Sequence, residues 1–238
     1  MGHMSETIGI VAGSAPGAAL CYETICIESQ DLLGTHEHPQ IALHGHSFGR
    51  YVRLMEAADW QAIGELLLDS TRRVAAIGAT FAICPDNTFH EACPYIAAKS
   101  PIPWLHIAEV VAAEAQRIGA NRLAVLGTRY LMEGPVYREV LDAVKIQWRI
   151  PSQQDRATIH EIIFEDLVYN RVPEAARSEL ARIIAAMARD ESCDAVVLGC
   201  TELPLAVTAD VSSLPTLDST RLLARAAIRR AADRSAAG

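Results

Sequence analysis

Six short apolar runs alternate with longer helical stretches, and this alternation limits the folds open to the chain. The runs are "TIGIVAG" from Thr7, "IALHGHSF" from Ile41, "ATFAICP" from Ala79, "RLAVLGT" from Arg122, "IQWRIP" from Ile146 and "DAVVLGC" from Asp194. Each is short and rich in β-branched residues, as buried strands are. Between them, "DWQAIGELLLDSTRRVAAIG" predicts a helix capped by Asp59 and stopped at Gly78, and "IAEVVAAEAQRIG" predicts one ending at Gly119. Strands that alternate with helices imply right-handed crossovers and parallel sheets, hence an α/β protein. With 238 residues, half of them hydrophobic, the chain can bury a large core.

The order of these pieces repeats. "TIGIVAGSAPGAALCYETI" and "RLAVLGTRYLMEGPVYREVL" both run strand, glycine-containing turn, helix; "ATFAICPDNTFH" and "DAVVLGCTELPL" both run strand, then a polar turn near a cysteine. The expectation is two pseudo-symmetric lobes, each a mostly parallel sheet flanked by helices, with the active site in the cleft between them. Lobe 1 would span residues 5–102 and 210–238, and lobe 2 residues 103–209. Ligands of open parallel sheets gather at the carboxyl ends of the strands, where all four turns fall. In the returning segment "LPTLDSTRLLARAAIRRAA", Asp218 and Ser219 would cap the last helix.

Charge and composition narrow the partners. A net charge of −8 with 21 Lys+Arg does not supply the concentrated basic face that nucleic acid or an anionic membrane requires. A small polar molecule is the expected ligand. The chain has no apolar run of spanning length and no signal-type leader, which makes the cytoplasm the expected compartment. The opening "MGHM", with His3, reads as a remnant of cloning ahead of a natural start near Met4. Six cysteines without a CxxC pattern predict free thiols rather than disulfides or a structural metal. "GSAPG" does not match the spacing of a dinucleotide-binding turn, and no dinucleotide is expected there.

Two turns carry chemistry. In "LGCTELPL", Cys200 directly follows a strand and precedes Thr201 and Glu202, where main-chain N–H groups favour a thiolate. In "AICPDNTFH", Cys84, Asp86, Asn87, Thr88 and His90 lie within seven residues. His44 and His46 alternate on one face of a strand, but no third ligand lies at a suitable spacing, so no metal is expected.

These motifs, "GCTELPL", "DNTFH", "IGIVAG" followed by "CYETI", "LGTRYLMEGPVY" and "IHEIIFEDLV", together resemble the aspartate/glutamate racemase family, from about Ile8 to Leu223 and in the family's order. The resemblance implies an amino acid held between two α/β lobes, with no pyridoxal phosphate or other cofactor, and a homodimer. It also implies two cysteines on opposite faces of the α-carbon, one removing the proton and the other replacing it. Such chemistry requires one deprotonated and one protonated group on either side of a planar carbanion. Without an electron sink, N–H and hydroxyl donors must stabilise the charge developing on the substrate carboxylate, and Asn87, Thr88 and Thr201 are candidates. Ser14 and Thr128 lie where the family's loops contact substrate carboxylates, although either hydroxyl would also serve as a helix cap. Arg50 would pair with a distal carboxylate, or lie on the surface. His160 matches a family feature on a helix of the second lobe and is expected to support the site indirectly.

The chain departs from the family pattern at one decisive place. The first cysteine normally precedes the Asn-Thr pair directly, and here that position is Asp86. Cys84 stands two residues earlier, up to about 7 Å away along the chain. Asp86 is therefore the expected counterpart of Cys200, with Cys84 in reserve. Leu131 stands where many members have a second Thr, and Val168 where some aspartate-specific members place a Lys. Three functions remain open: an amino-acid racemase acting on aspartate, glutamate or a related substrate; a decarboxylase or cis/trans isomerase using Cys200 alone; and a non-catalytic binder of amino acids or dicarboxylates.

Overall fold

The computed structural model describes residues 6–236; the leading "MGHM" and the extreme ends of the lobe 1 range lie outside the described residues. Within them are two compact units, one running to Ile107 and resuming at Thr220, the other Ala108–Ser219.

The first unit holds a parallel sheet of β1 (Ile8–Ala12), β2 (Ile41–Gly45), β3 (Phe81–Ile83) and β4 (Trp104–Leu105), in the order β2-β1-β3-β4. Every residue of β1 is buried, as expected for an apolar run covered on both faces. Its register pairs Ile8 with Ile41 on one side and with Phe81 on the other. Helix Trp60–Ala76 starts where Asp59 accepts a hydrogen bond from the Ala62 N–H, and ends before Gly78 at φ 105°. It packs Ile63, Leu67 and Val74 against Tyr51, Ala82 and Phe89. Tyr51 and Phe89 stack with ring centroids 4.5 Å apart. Each fully buried Ile, Leu or Val here contributes roughly 1.5–3 kcal/mol.

The second unit repeats the plan. Its strands are β5 (Arg122–Leu126), β6 (Gln147–Arg149), β7 (Ala195–Leu198) and β8 (Thr216–Asp218), all parallel, in the order β6-β5-β7-β8. Helix Glu174–Asp190 buries Leu180, Ile183 and Ile184 in a cluster with Val196, Leu198 and Leu203. Two parallel sheets flanked by helices thus stand where the repeated strand, turn and helix pattern calls for them.

The limits of the units differ from those expected at 102/103 and 209/210. β4 hydrogen-bonds to β3, with Ala82 paired to Trp104, which carries the first unit through to Ile107. Likewise β8 pairs with β7, Leu217 opposite Val197, so the segment up to Ser219 belongs to the second unit. Among the described residues, no helix is long and apolar enough to cross a membrane.

Candidate acid–base site

In the first unit, β3 delivers Cys84, Pro85 and Asp86 to a 3-10 helix, Asn87–Ala92. The Asp86 carboxylate does not simply project from the turn. The Gly13 N–H donates to Oδ2 at 3.0 Å, and the Ser14 N–H donates to Oδ1 at 3.0 Å and Oδ2 at 3.2 Å. These amides lie at the end of β1, ahead of helix Ala15–Glu28, so they and the helix dipole together hold the negative charge. Gly13 makes the approach possible, because a Cβ there would lie 2.8 Å from Oδ2 and would also overlap the Phe89 ring. Asn87 is buried and Thr88 half-buried beside this carboxylate in sequence.

Ser14 caps the helix, its Oγ accepting from the Gly17 N–H at 3.3 Å. A hydroxyl has one donor and two acceptor positions, so capping leaves the Ser14 O–H able to donate to a ligand. Cys84 is fully buried in the core of this unit. Burial, followed by the nearby Asp86 charge, pushes its thiol well above the ordinary range, and its Sγ lies 3.9 Å from the Asp86 carbonyl oxygen. A thiol so placed is neutral and shielded from solvent.

Arg50 is exposed on helix Phe48–Glu56, where its Nη1 donates to His46 Nδ1 at 3.3 Å. His46 Nε2 in turn bonds Asp69 Oδ2 at 2.9 Å, and His44 Nδ1 bonds Ser70 Oγ at 2.9 Å. The two histidines share a face, as their spacing requires, and both engage neighbouring residues of helix Trp60–Ala76.

In the second unit, β7 leads into Gly199, Cys200, Thr201 and Glu202. The Cys200 Sγ–H donates to Glu202 Oε2 at 2.8 Å. Glu202 and Thr201 are only 4% and 7% exposed, while Cys200 is half-buried, so the thiol can reach a ligand while its proton partner is enclosed. Thr128 caps helix Arg129–Glu133, with Oγ1 accepting from the Leu131 N–H at 3.3 Å. His160 Nδ1 accepts from the Arg129 N–H at 3.3 Å, which ties it to the same turn. Leu131 is buried against Gly127, where an added Cβ would lie 2.7 Å from its Cδ2; an apolar group fills this flank of the turn.

Asp86 and Cys200 occupy matching places. Gly13 and Asp86 are 73 residues apart, and Gly127 and Cys200 have the same separation in the second unit. The structure therefore groups Ser14, Asp86, Asn87 and Thr88 in one unit, and Cys200 and Thr201 in the other near the turn that bears Thr128. Two participants were not singled out from sequence: the Gly13 amide and the Glu202 carboxylate. The second had a signal, the two-residue spacing from Cys200; the first had none.

The Asp/Glu/Hydantoin racemase family model matches residues 15–227. Among solved structures, the chain is similar to a Yersinia pestis protein assigned to the Asp/Glu racemases, with 29% identity, a TM-score of 0.86, and coverage of 97% of this chain and 99% of that one. An aspartate racemase homologue from Pyrococcus horikoshii has 24% identity and a TM-score of 0.84, covering 96% and 99%. A glutamate racemase from Francisella tularensis, solved with D-glutamate, shares the fold at 13% identity and a TM-score of 0.65, covering 94% and 80%. On the strength of a family match spanning nearly all of its length, this chain belongs to the Asp/Glu/Hydantoin racemases.

Proposed function

We propose that the chain is an amino-acid racemase that needs no cofactor, with Cys200 and Asp86 as the two acid–base groups, one from each unit. The observation that carries this reading is the Cys200 thiol bonded to the enclosed Glu202 carboxylate. In this reading the pair shares one proton. With the proton on sulfur, Cys200 is an acid; with the proton on Glu202, Cys200 is a thiolate held by a hydrogen bond. A two-base racemase needs a group that can occupy both states.

In the forward direction the Cys200 thiolate takes the α-proton from one face, and Asp86 in its acid form returns a proton to the other face. In the reverse direction the roles exchange. Asn87, Thr88 and Thr201, with the hydroxyls of Ser14 and Thr128, are proposed donors to the substrate carboxylate as it gains charge. Arg50 is a further candidate for a distal carboxylate. Its bond to His46 and the apolar Leu131 in the second unit together favour a substrate other than aspartate or glutamate.

One observation supports a second reading. The Gly13 and Ser14 amides already engage both oxygens of the Asp86 carboxylate, which favours chemistry run by Cys200 alone, such as decarboxylation of a substituted malonate or cis/trans isomerisation of a dicarboxylate. Polarimetry over a panel of amino acids, alongside carbon dioxide release from malonates and conversion of maleate, separates the two. Loss of optical rotation supports racemisation. Turnover confined to the malonates or maleate rejects it.

A further inference from the structure

A cluster that includes neither Asp86 nor Cys200 is built like a metal site. His90 lies in the 3-10 helix Asn87–Ala92, and Cys93 follows three residues later. In that helix type, positions three apart eclipse one another, so the two side chains emerge on one side of the turn. His106 arrives from a different direction. It follows β4, whose register sets Ile83 beside Leu105, and so it comes up next to the end of β3.

One ligand atom from each of His90, Cys93 and His106 lies within 4.8 Å of the others. Cys93 Sγ lies 3.7 Å from His90 Nδ1. Zinc bonds of about 2.3 Å to sulfur and about 2.05 Å to nitrogen, at a tetrahedral angle, set these two ligands roughly 3.6 Å apart. The His90 and His106 rings meet edge to face, with centroids 4.5 Å apart at 73°, an arrangement that keeps the rings from stacking flat.

The surroundings also fit. The Nε2–H of His90 donates to the Cys84 carbonyl at 3.0 Å, which fixes the tautomer and leaves the Nδ1 lone pair facing Cys93. Metal-ligating histidines usually carry a support of this kind. His90 is buried, while Cys93 and His106 are half-buried. The donors are two imidazoles and a thiol, a set that suits zinc and excludes the oxygen-seeking magnesium and calcium.

We propose that His90, Cys93 and His106 form a zinc site that clamps the ends of β3 and β4 to the turn bearing Asn87 and Thr88. Binding replaces the Cys93 S–H bond with a sulfur–metal bond and releases that proton to solvent. None of the three ligands is a proposed acid–base group, and occupancy of the site is read without turnover.

The test is a cobalt titration of the full chain after chelator treatment, followed by the thiolate-to-cobalt charge-transfer absorption, with zinc as competitor. Wild type and Cys200→Ser should each take up one ion per chain, with release of one proton and the charge-transfer band, and zinc should displace the cobalt. Cys93→Ser should lose the band, and His106→Gln should bind at least about tenfold more weakly. Near-ultraviolet circular dichroism confirms that the variants are folded. If Cys93→Ser is not, the zinc-induced rise in melting temperature, present in wild type and reduced in His106→Gln, provides the readout. No band in the wild type, or a band that persists in folded Cys93→Ser, overturns the site and leaves Cys93 and His90 as an ordinary hydrogen-bonded pair.

Discussion

The Gly13 N–H donates to Asp86 Oδ2 at 3.0 Å, joining the end of the first strand to the residue proposed as the counterpart of Cys200. The reach of the Asp86 side chain ends on main-chain amides. Gly13→Ala places a methyl group 2.8 Å from that oxygen and on top of the Phe89 ring, so both the carboxylate and the ring must move. The expected cost is about 1–3 kcal/mol by chemical denaturation. Asp86→Ala, which removes the acceptor from both amides, should cost about 2 kcal/mol or more. A fully stable Asp86→Ala protein would show that the amides are satisfied by water and that the contact contributes little.

Glu202 is proposed to act on Cys200 rather than on the substrate. Glu202→Gln keeps the hydrogen-bonding shape but cannot take the Cys200 proton. Steady-state kinetics should show kcat falling by roughly a hundredfold, KM little changed, and the pH profile of kcat altered. A change in KM alone would point instead to a contact with substrate.

The six thiols should differ in reactivity. Cys84 is fully buried and its thiol is pushed upward, and burial likewise raises Cys193 to about 11. Brief alkylation of the native protein at neutral pH, read by peptide mass spectrometry, should label half-buried Cys200 and spare both of these. Rapid native labelling of Cys84 would return it to consideration as the second acid–base residue.

His160 should contribute a pH-dependent increment of stability. Burial, followed by the nearby Arg129 charge, lowers its pKa below the ordinary value of about 6.5. The unfolded chain therefore binds this proton first as pH falls, and stability is present above about pH 6.5 and declines below it toward the lower folded value. Protonation also removes the Nδ1 lone pair that accepts from the Arg129 N–H. Urea midpoints of wild type and His160→Gln should differ more at pH 8 than at pH 5.5. An equal difference at both values would contradict this.

Much of this architecture is legible in the chain, because β1, β5 and β7 are apolar runs whose burial on both faces leaves no other arrangement. β4 and β8 are not, since Trp104–Leu105 and Thr216–Asp218 are too short for any periodicity and follow Pro103 and Pro215. Missing them set the expected unit limits too early. At the site, the pairing of Asp86 with Cys200 is proposed from the resemblance to the family, while the repeated strand and turn bring only the two turns into correspondence. The Asp86 bonds to Gly13 and Ser14 do not, because they join positions more than seventy residues apart. Ser14 and Thr128 were open between capping and binding; both cap, and the hydroxyl chemistry of Ser14 lets it do both. His44 and His46 are paired by local spacing alone, whereas His90, Cys93 and His106 converge only through the pairing of β3 with β4.

The most direct test of the account is α-deuterium incorporation in heavy water, measured separately for the D- and L-forms of each amino acid turned over, with wild type, Asp86→Ala and Cys200→Ala. Wild type should exchange both enantiomers. Each variant should lose at least about a hundredfold in racemisation, and Asp86→Ala should retain exchange of only the enantiomer whose α-proton Cys200 removes. Undiminished racemisation by Asp86→Ala or by Cys200→Ala, or no exchange by wild type with any amino acid, would contradict a two-base racemase built on these residues.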